Sequence, residues 1–165
     1  MPVSPSRLWK ELPADTRAVA AEALWRDEEA LEQRAEATAL LARRLKFRTK
    51  SVQALPIERR ARFLAQVTDV SDALAGRALI AYHFQAARPL MSSFLDALEI
   101  PHEQGLITNE EIAPPDPVRL ADGVQKLRAE FPPEAVDLYL RTLVALDPDT
   151  WTGLDTLLGD LKASP

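Results

Sequence analysis

The chain has 165 residues, 47% of them hydrophobic and 27% charged, with a net charge of −5 at pH 7. This is the composition of a globular protein, and it excludes a disordered chain. The absence of cysteine excludes disulfides, thiol catalysis and cysteine-based zinc sites, and it fits a reducing, cytoplasmic setting. We expect a soluble protein with no membrane partner, because the N-terminal residues lack a signal-like apolar stretch and no window of 18 apolar residues occurs.

The composition favours helices along the whole chain. Ala, Leu, Arg and Glu dominate, only five glycines occur, and most of the 13 prolines stand where a helix would begin. No alternating strand pattern and no hairpin turn pair is evident. The predicted fold class is therefore all-α.

The N-terminal third of the chain predicts three helices. The first covers residues 4–12, the second opens at Pro13, and the third covers 28–46. In the third helix the acidic residues come first and the basic residues last, which matches the helix dipole. The charged run 26–29 between the second and third helices indicates either a kink or a break.

The middle of the chain predicts a connector and then the most apolar helix. The connector covers residues 47–55, with one helical turn after Thr49, and Pro56 opens the next helix. Residues 72–87 are apolar around nearly the whole helix axis, which is typical of a helix that is buried on most sides. We expect this segment to be the central helix of the fold.

The C-terminal half predicts a long loop followed by three helices. Residues 100–116 form the longest irregular segment, and loops of this length are often functional. Helices are then predicted to open at Pro117, at 132–133 and at 147–149, each at a proline signal. A helix opening at Pro89 precedes the loop.

Together these patterns predict one domain over residues 1–165. About eight helices form a compact bundle around the central helix at 72–87. An apolar residue followed by proline recurs before three helices, which leaves a short α-solenoid of helix pairs as the alternative. These pairs are Leu12-Pro13, Leu55-Pro56 and Phe131-Pro132.

Charge is unevenly distributed along the chain. Residues 1–42 carry a net charge of −3, residues 43–62 carry +7, and residues 63–165 carry −9. We call residues 43–62 the basic segment. Its candidate binding residues are Arg43, Arg44, Arg48, Lys50, Arg59, Arg60 and Arg62.

The basic segment has two interpretations. Its cations would bind phosphates of nucleic acid or an acidic protein surface. Alternatively, they would pack beside the acidic C-terminal helices or pair with a second copy of the chain. Only Phe47 and Phe63 lie nearby, which is too few aromatic residues for a base-stacking platform, and the acidic pI near 5.1 argues against a dedicated nucleic-acid binder.

A small-molecule pocket is a further candidate site. Arg77, Tyr82 and His83 lie in the central helix, and His102 lies in the long loop. The favoured interpretation of His83 is a core histidine, although a buried imidazole can also titrate or bind a ligand. Trp9 lies near the N-terminus and is the tryptophan that we expect at an interface.

Two of these residues require partners. Arg77 is the only formal charge in residues 73–87, so burial requires a carboxylate, such as Asp69, Asp72 or an acid of a later helix. A metal or acid–base role of His102 requires convergent carboxylates, such as those of Glu99, Glu110 and Glu111. These three are all within nine residues of His102 in the sequence.

The sequence favours a non-enzymatic helical module that binds another protein or a second copy of itself, for example as a homodimer. No phosphate-binding glycine loop, nucleophile elbow or paired metal-binding motif occurs, so no catalytic residue, metal site or cofactor is predicted. The first alternative is an anion- or nucleic-acid-binding regulatory module that uses the basic segment. The second is a small-ligand-binding protein or enzyme with a pocket near His83.

Overall fold

The computed structural model describes the backbone of residues 3–163 and the side chains of residues 3–158. The described residues form ten helices and one two-stranded hairpin, so the fold is all-α and of the helical-bundle class, as predicted. No helix in this part of the chain is both long and apolar enough to cross a membrane. The elements are α1 (Pro5–Glu11), α2 (Ala14–Arg26), α3 (Leu31–Leu45), α4 (Thr49–Gln53), α5 (Ile57–Ala65), α6 (Asp72–Ala86), α7 (Arg88–Ala97), β1 (His102–Glu103), β2 (Leu106–Ile107), α8 (Pro117–Glu130), α9 (Pro133–Leu146) and α10 (Thr152–Ala163).

Contacts within the chain group its residues into two compact units. One unit consists of residues 4–85, and the other is built mainly from residues 86–165. The first unit contains 14 Lys and Arg against 11 Asp and Glu, a net charge of +3. The second contains 6 Lys and Arg against 14 Asp and Glu, a net charge of −8. The expectation of a single domain stays a prediction.

The unit of residues 4–85 is built on the packing of α2 against α5. Both helices begin directly after a proline in extended conformation, as the sequence predicted. The charged run 26–29 is a break, since α2 ends at Arg26 and α3 begins at Leu31. Small and large apolar side chains fill the core, among them Trp9, Ala20, Leu24, Trp25, Leu41, Leu64, Leu74 and Ala78.

Two buried polar side chains connect the helix ends of this unit. The indole N–H of Trp9 donates to the carbonyl oxygen of Val67 at 2.8 Å, and Trp9 is fully buried. The expectation that Trp9 lies at an interface is therefore wrong, because its ring fills the core beneath α1. Arg17 is only 9% exposed, and its guanidinium donates to the carbonyl oxygens of Leu12 and Ala65.

Helix α6 corresponds to the predicted central helix. Ser71 caps its N-terminus by accepting a hydrogen bond from the Leu74 N–H at 3.1 Å. From Leu74 to Phe84 every side chain is buried or half-buried, which confirms that this helix is enclosed over most of its length. Leu74 and Ala78 belong to the core of residues 4–85.

The second unit has an aromatic core. Phe94 of α7 meets the ring of Tyr139 edge-on at 5.8 Å and the ring of Trp151 at 6.0 Å. Helix α10 begins at Thr152, later than the predicted start at 147–149. Residues 148–151 form a separate turn ahead of the helix, in which Asp147 accepts the Thr150 N–H with its side chain and the Trp151 N–H with its carbonyl oxygen.

The long loop contains a hairpin that the sequence analysis did not predict. His102 pairs with Ile107 and Glu103 with Leu106, so Gln104 and Gly105 form a two-residue turn. Both turn residues have positive φ, at 50° and 95°, which is the geometry of a type I′ turn. Residues 108–116 are irregular up to the N-cap of α8.

Candidate functional site

The basic segment occupies three neighbouring helices. It covers the last turn of α3, all of α4 and the first part of α5. Both α4 and α5 pack against α3, so residues separated in sequence come into the same region of this unit. Arg43 and Arg44 lie in the last turn of α3, where their positive charges interact favourably with the negative end of the helix dipole.

Seven of the eight Lys and Arg residues in the basic segment are exposed. None of the seven forms an ion pair of 4.0 Å or less with a side chain of residues 3–158. Of the predicted binding residues, all except Arg60 are therefore accessible. The seven exposed cations are Arg43, Arg44, Lys46, Arg48, Lys50, Arg59 and Arg62.

Arg60 has a structural role. Its guanidinium lies over the ring of Trp25, 5.6 Å from the centroid, and its Nε donates to the carbonyl oxygen of Leu55 at 3.1 Å. Partial burial, followed by the nearby charge of Arg34, lowers the pKa of Arg60. Arg60 therefore holds α5 against the core. Arg59 lies over the ring of Phe63 at 5.8 Å but stays exposed.

An apolar side chain is exposed in the middle of the cations. Phe47 is 46% exposed and lies between Lys46 and Arg48. Lys46 ends α3 in the left-handed conformation, with φ 58°, and the Phe47 N–H donates to the Ala42 carbonyl oxygen at 2.9 Å. This turn fixes the backbone of the segment 46–48, which we call the basic triplet.

The candidate pocket residues of α6 are engaged within residues 4–85. Arg77 donates from Nε and Nη2 to one carboxylate oxygen of Asp27, at 2.9 and 2.8 Å. The predicted ion pair is thus confirmed, but its predicted partners are wrong. Asp72 instead accepts the backbone N–H of Ser6 at 3.0 Å, and hydrogen bonding from the side chain and then from the backbone of Ser6 lowers the pKa of Asp72.

His83 is a core histidine. It is 3% exposed, and the ring of Tyr82 approaches it edge-on at 5.2 Å. Burial lowers the pKa of His83 to about 4, so its imidazole is neutral at pH 7. Protonation of His83 would therefore oppose folding.

His102 organises the hairpin of the second unit. Its Nδ1 accepts the Gly105 N–H at 3.0 Å, so the ring carries its proton on Nε2, which lies 2.7 Å from Asp96. The carboxylate beside His102 is therefore not one of those predicted, and Glu99 pairs with Arg119 at 2.8 Å. Among the described residues, no group of three His, Asp or Glu side chains is placed to hold a metal.

A groove in the second unit was not predicted. Its volume is about 490 Å³, and it lies between the loop after the hairpin and the turn that joins α9 to α10. Its apolar lining includes Ile107, Ile112, Leu143, Leu146 and Trp151. Three exposed acids also line it, namely Glu110, Glu111 and Asp147. We call this the acidic groove.

The acidic groove has no cation of its own in its lining. Neither Glu110 nor Glu111 pairs with a basic side chain of residues 3–158. Arg77, Tyr82, His83 and His102 do not line it either. The groove includes part of the loop 100–116, which the sequence indicates as a binding loop, but no local pattern indicates that the end of α9 forms its opposite wall.

Compared with protein families, curated proteins and solved structures, the chain matches none of them. Function is therefore inferred from the chemistry of these two sites.

Proposed function

We propose that this protein is a non-enzymatic interaction module that binds an acidic protein surface, in a partner or a second copy, through its basic segment. The observation that carries the proposal is the set of seven exposed cations without an ion-pair partner among residues 3–158. Exposed, unpaired cations grouped on neighbouring helices generate a local positive potential, which steers and orients an acidic partner. We expect it to act in the cytoplasm, which suits a chain without cysteine.

Two observations favour a protein over a nucleic acid. The whole chain carries −5 and the second unit −8, so a long polyanion such as RNA is repelled outside the basic segment. Phe47 is the one large aromatic among the exposed hydrophobic side chains of the described residues, and a single ring does not form a stacking track. An aromatic residue flanked by cations is, in contrast, a common anchor in protein interfaces.

The test compares two polyanions. A fluorescent polyglutamate peptide and a mixed-sequence single-stranded RNA are titrated with the protein at low salt, and binding is followed by anisotropy. The proposal predicts binding of polyglutamate that weakens at about 0.5 M salt. Tighter binding of the RNA would replace the proposal by the nucleic-acid alternative, and no binding of either probe would overturn both.

The polyglutamate titration is repeated with a test variant and a control variant, each of which lacks three positive charges. The test variant is Arg44→Ala, Arg48→Ala and Arg62→Ala, which takes one exposed cation from α3, from the N-cap of α4 and from α5. We expect it to weaken polyglutamate binding at least about tenfold, because three interactions with the probe are lost. The control variant carries Lys10→Ala, Lys126→Ala and Arg128→Ala, which are exposed cations outside the basic segment, and it should bind as the wild type does.

A further inference from the structure

The acidic groove combines an apolar lining with an acidic rim. The side chain of Trp151 is 2% exposed and lies at its base, while Leu146 is 40% exposed at its edge. A volume of about 490 Å³ falls in the range of specific binding pockets, roughly 300–1,000 Å³. The groove therefore has room for a large apolar side chain together with part of its backbone.

The electrostatics of the groove select a cation. Glu110, Glu111 and Asp147 line it and no Lys or Arg does. Helix α9 also ends at Leu146, so the negative end of its dipole lies at the groove. A ligand that suits this lining has an apolar group flanked by positive charges.

The same chain contains such a group. In the basic triplet, Phe47 is flanked by Lys46 and Arg48, all three are exposed, and neither cation has an ion pair with a side chain of residues 3–158. Burying a Phe side chain removes roughly 150–250 Å² from water, which makes it an effective anchor. The backbone turn at the end of α3 already holds the triplet in place, so little conformational entropy is lost on binding.

We propose that the acidic groove of one copy binds the basic triplet of a second copy, with Phe47 on the apolar lining and Lys46 and Arg48 beside the acids. This inference rests on the proposed function and names the acidic surface that the basic segment recognises. A second copy is the occupant because the charges and the apolar groups match within one sequence: the unit with the triplet carries +3 and the unit with the groove carries −8. The contact joins two different surfaces, so it is heterologous.

The test is a complementation experiment by sedimentation velocity of the full chain at low salt. The first variant, Phe47→Ala with Arg48→Ala, removes the triplet. The second, Glu110→Gln with Glu111→Gln, removes two groove charges and keeps the side-chain size. Each is expected to raise the dissociation constant of self-association at least about tenfold. An equimolar mixture of the two variants regains one intact triplet and one intact groove, and is expected to form a 1:1 heterodimer.

Matched control variants distinguish the loss of the triplet–groove contact from a nonspecific effect of removing charge. Leu31→Ala with Lys10→Ala removes one exposed apolar and one exposed basic side chain of the same unit as the triplet. Glu103→Gln with Asp122→Asn removes two exposed acids outside the groove lining. Both control variants should associate as the wild type does.

Three results would overturn the inference: a wild type that stays monomeric at high concentration, association that survives either the triplet or the groove variant, or a variant mixture that stays monomeric. Heterodimer formation in the mixture also shows that both variants are folded. If the wild type stays monomeric but still binds polyglutamate, the inference about the groove fails and the proposed function stands. If polyglutamate binding is also absent, both fail.

Discussion

At the scale of single residues, Arg17 shows how a buried cation is held without a carboxylate in the unit of residues 4–85. Its Nε donates to the Ala65 carbonyl oxygen at 2.7 Å, and its Nη1 donates to the carbonyl oxygens of Leu12 and, at 3.4 Å, Lys10. These acceptors lie at or near the ends of α1 and α5, where carbonyl groups lack partners within the helix. Arg17 thus donates hydrogen bonds to carbonyl oxygens that have no donor within their own helix, at the ends of α1 and α5.

Replacing Arg17 by methionine is therefore expected to lower the free energy of unfolding by about 2–4 kcal/mol, because buried carbonyl oxygens lose their donor. The measurement is urea unfolding of each variant followed by circular dichroism. Arg62→Met, at an exposed position of α5, is the control and should change stability by less than about 0.5 kcal/mol. Equal stability of the two variants would contradict this role of Arg17.

His83 predicts a pH dependence of stability. The folded protein keeps His83 neutral down to about pH 4, whereas the unfolded chain takes up the proton near its ordinary pKa of about 6.5. The unfolded state therefore binds more protons as the pH falls below about 6.5, and the folded state loses stability. Between about pH 7 and pH 5 the loss from this residue is about 2 kcal/mol.

The measurement compares the pH dependence of unfolding in the wild type and in His83→Gln. A Trp151→Phe background leaves Trp9 and Trp25 as the fluorescent residues, so the signal reports on residues 4–85. His83→Gln should lose about 2 kcal/mol less than its parent over that pH interval. The same pH dependence in both proteins would show that His83 is not kept neutral in the folded state.

At the scale of elements, most helix starts could be predicted because they depend on local chemistry. Proline fixes φ at a helix start, and Pro13, Pro56, Pro117 and Pro133 all stand at or next to one. The start of α10 was placed too early, because residues 148–151 form a separate turn that Asp147 caps by accepting the Thr150 N–H.

The hairpin was missed for a similar reason. Gln104 and Gly105 do not belong to the Asn-Gly or Asp-Gly pairs that mark a two-residue turn. The turn is stabilised by a local hydrogen bond from the Gly105 N–H to His102 and by the packing of Gly105 against Met91 of α7. The contact with Met91 joins two different elements, so it is not visible in the local sequence.

Gly105 and Gly123 of the second unit are expected to respond in opposite ways to the same substitution. At Gly105, with φ 95°, a Cβ would lie 2.7 and 2.9 Å from two atoms of Met91, so Gly105→Ala should destabilise by about 2 kcal/mol. At Gly123, inside α8, a Cβ would meet Phe94 and Leu98 at an ordinary 3.5 Å. Gly123→Ala should be neutral or stabilise by up to about 1 kcal/mol, because alanine is the better helix former.

Urea unfolding of the two alanine variants, each followed by circular dichroism, measures the difference. We expect the midpoint for Gly105→Ala to lie below that for Gly123→Ala. The reverse order would mean that the hairpin turn does not adopt the left-handed geometry described above.

At the scale of the whole molecule, the main feature is the opposite charge of the two units. The sequence predicted the basic segment, because a run of cations with one acid is visible in the chain itself, but it left open whether these cations are exposed. It did not predict that Arg60 packs over the ring of Trp25. It also did not predict that the acids of the loop and the end of α9 line the same groove. Both depend on packing between elements that are far apart in sequence.

The charge of each unit also predicts how salt acts on the protein. Attraction between a unit of +3 and a unit of −8 in different copies weakens when ions screen it, since the Debye length falls from about 10 Å at 0.1 M to about 3 Å at 1 M salt. Burial of Phe47 alone is not expected to hold two copies together at high salt, because one aromatic anchor does not offset the entropy lost on association.

Self-association through opposite charges is therefore tested most directly by the weight-average mass from sedimentation equilibrium at low and at high salt. At about 50 mM salt the mass is expected to rise above the monomer value of 18.3 kDa as the protein concentration increases, and at about 0.5 M salt it is expected to return to that value. A mass of 18.3 kDa at every concentration and both salt levels would contradict self-association, and a larger mass that salt leaves unchanged would contradict its electrostatic origin.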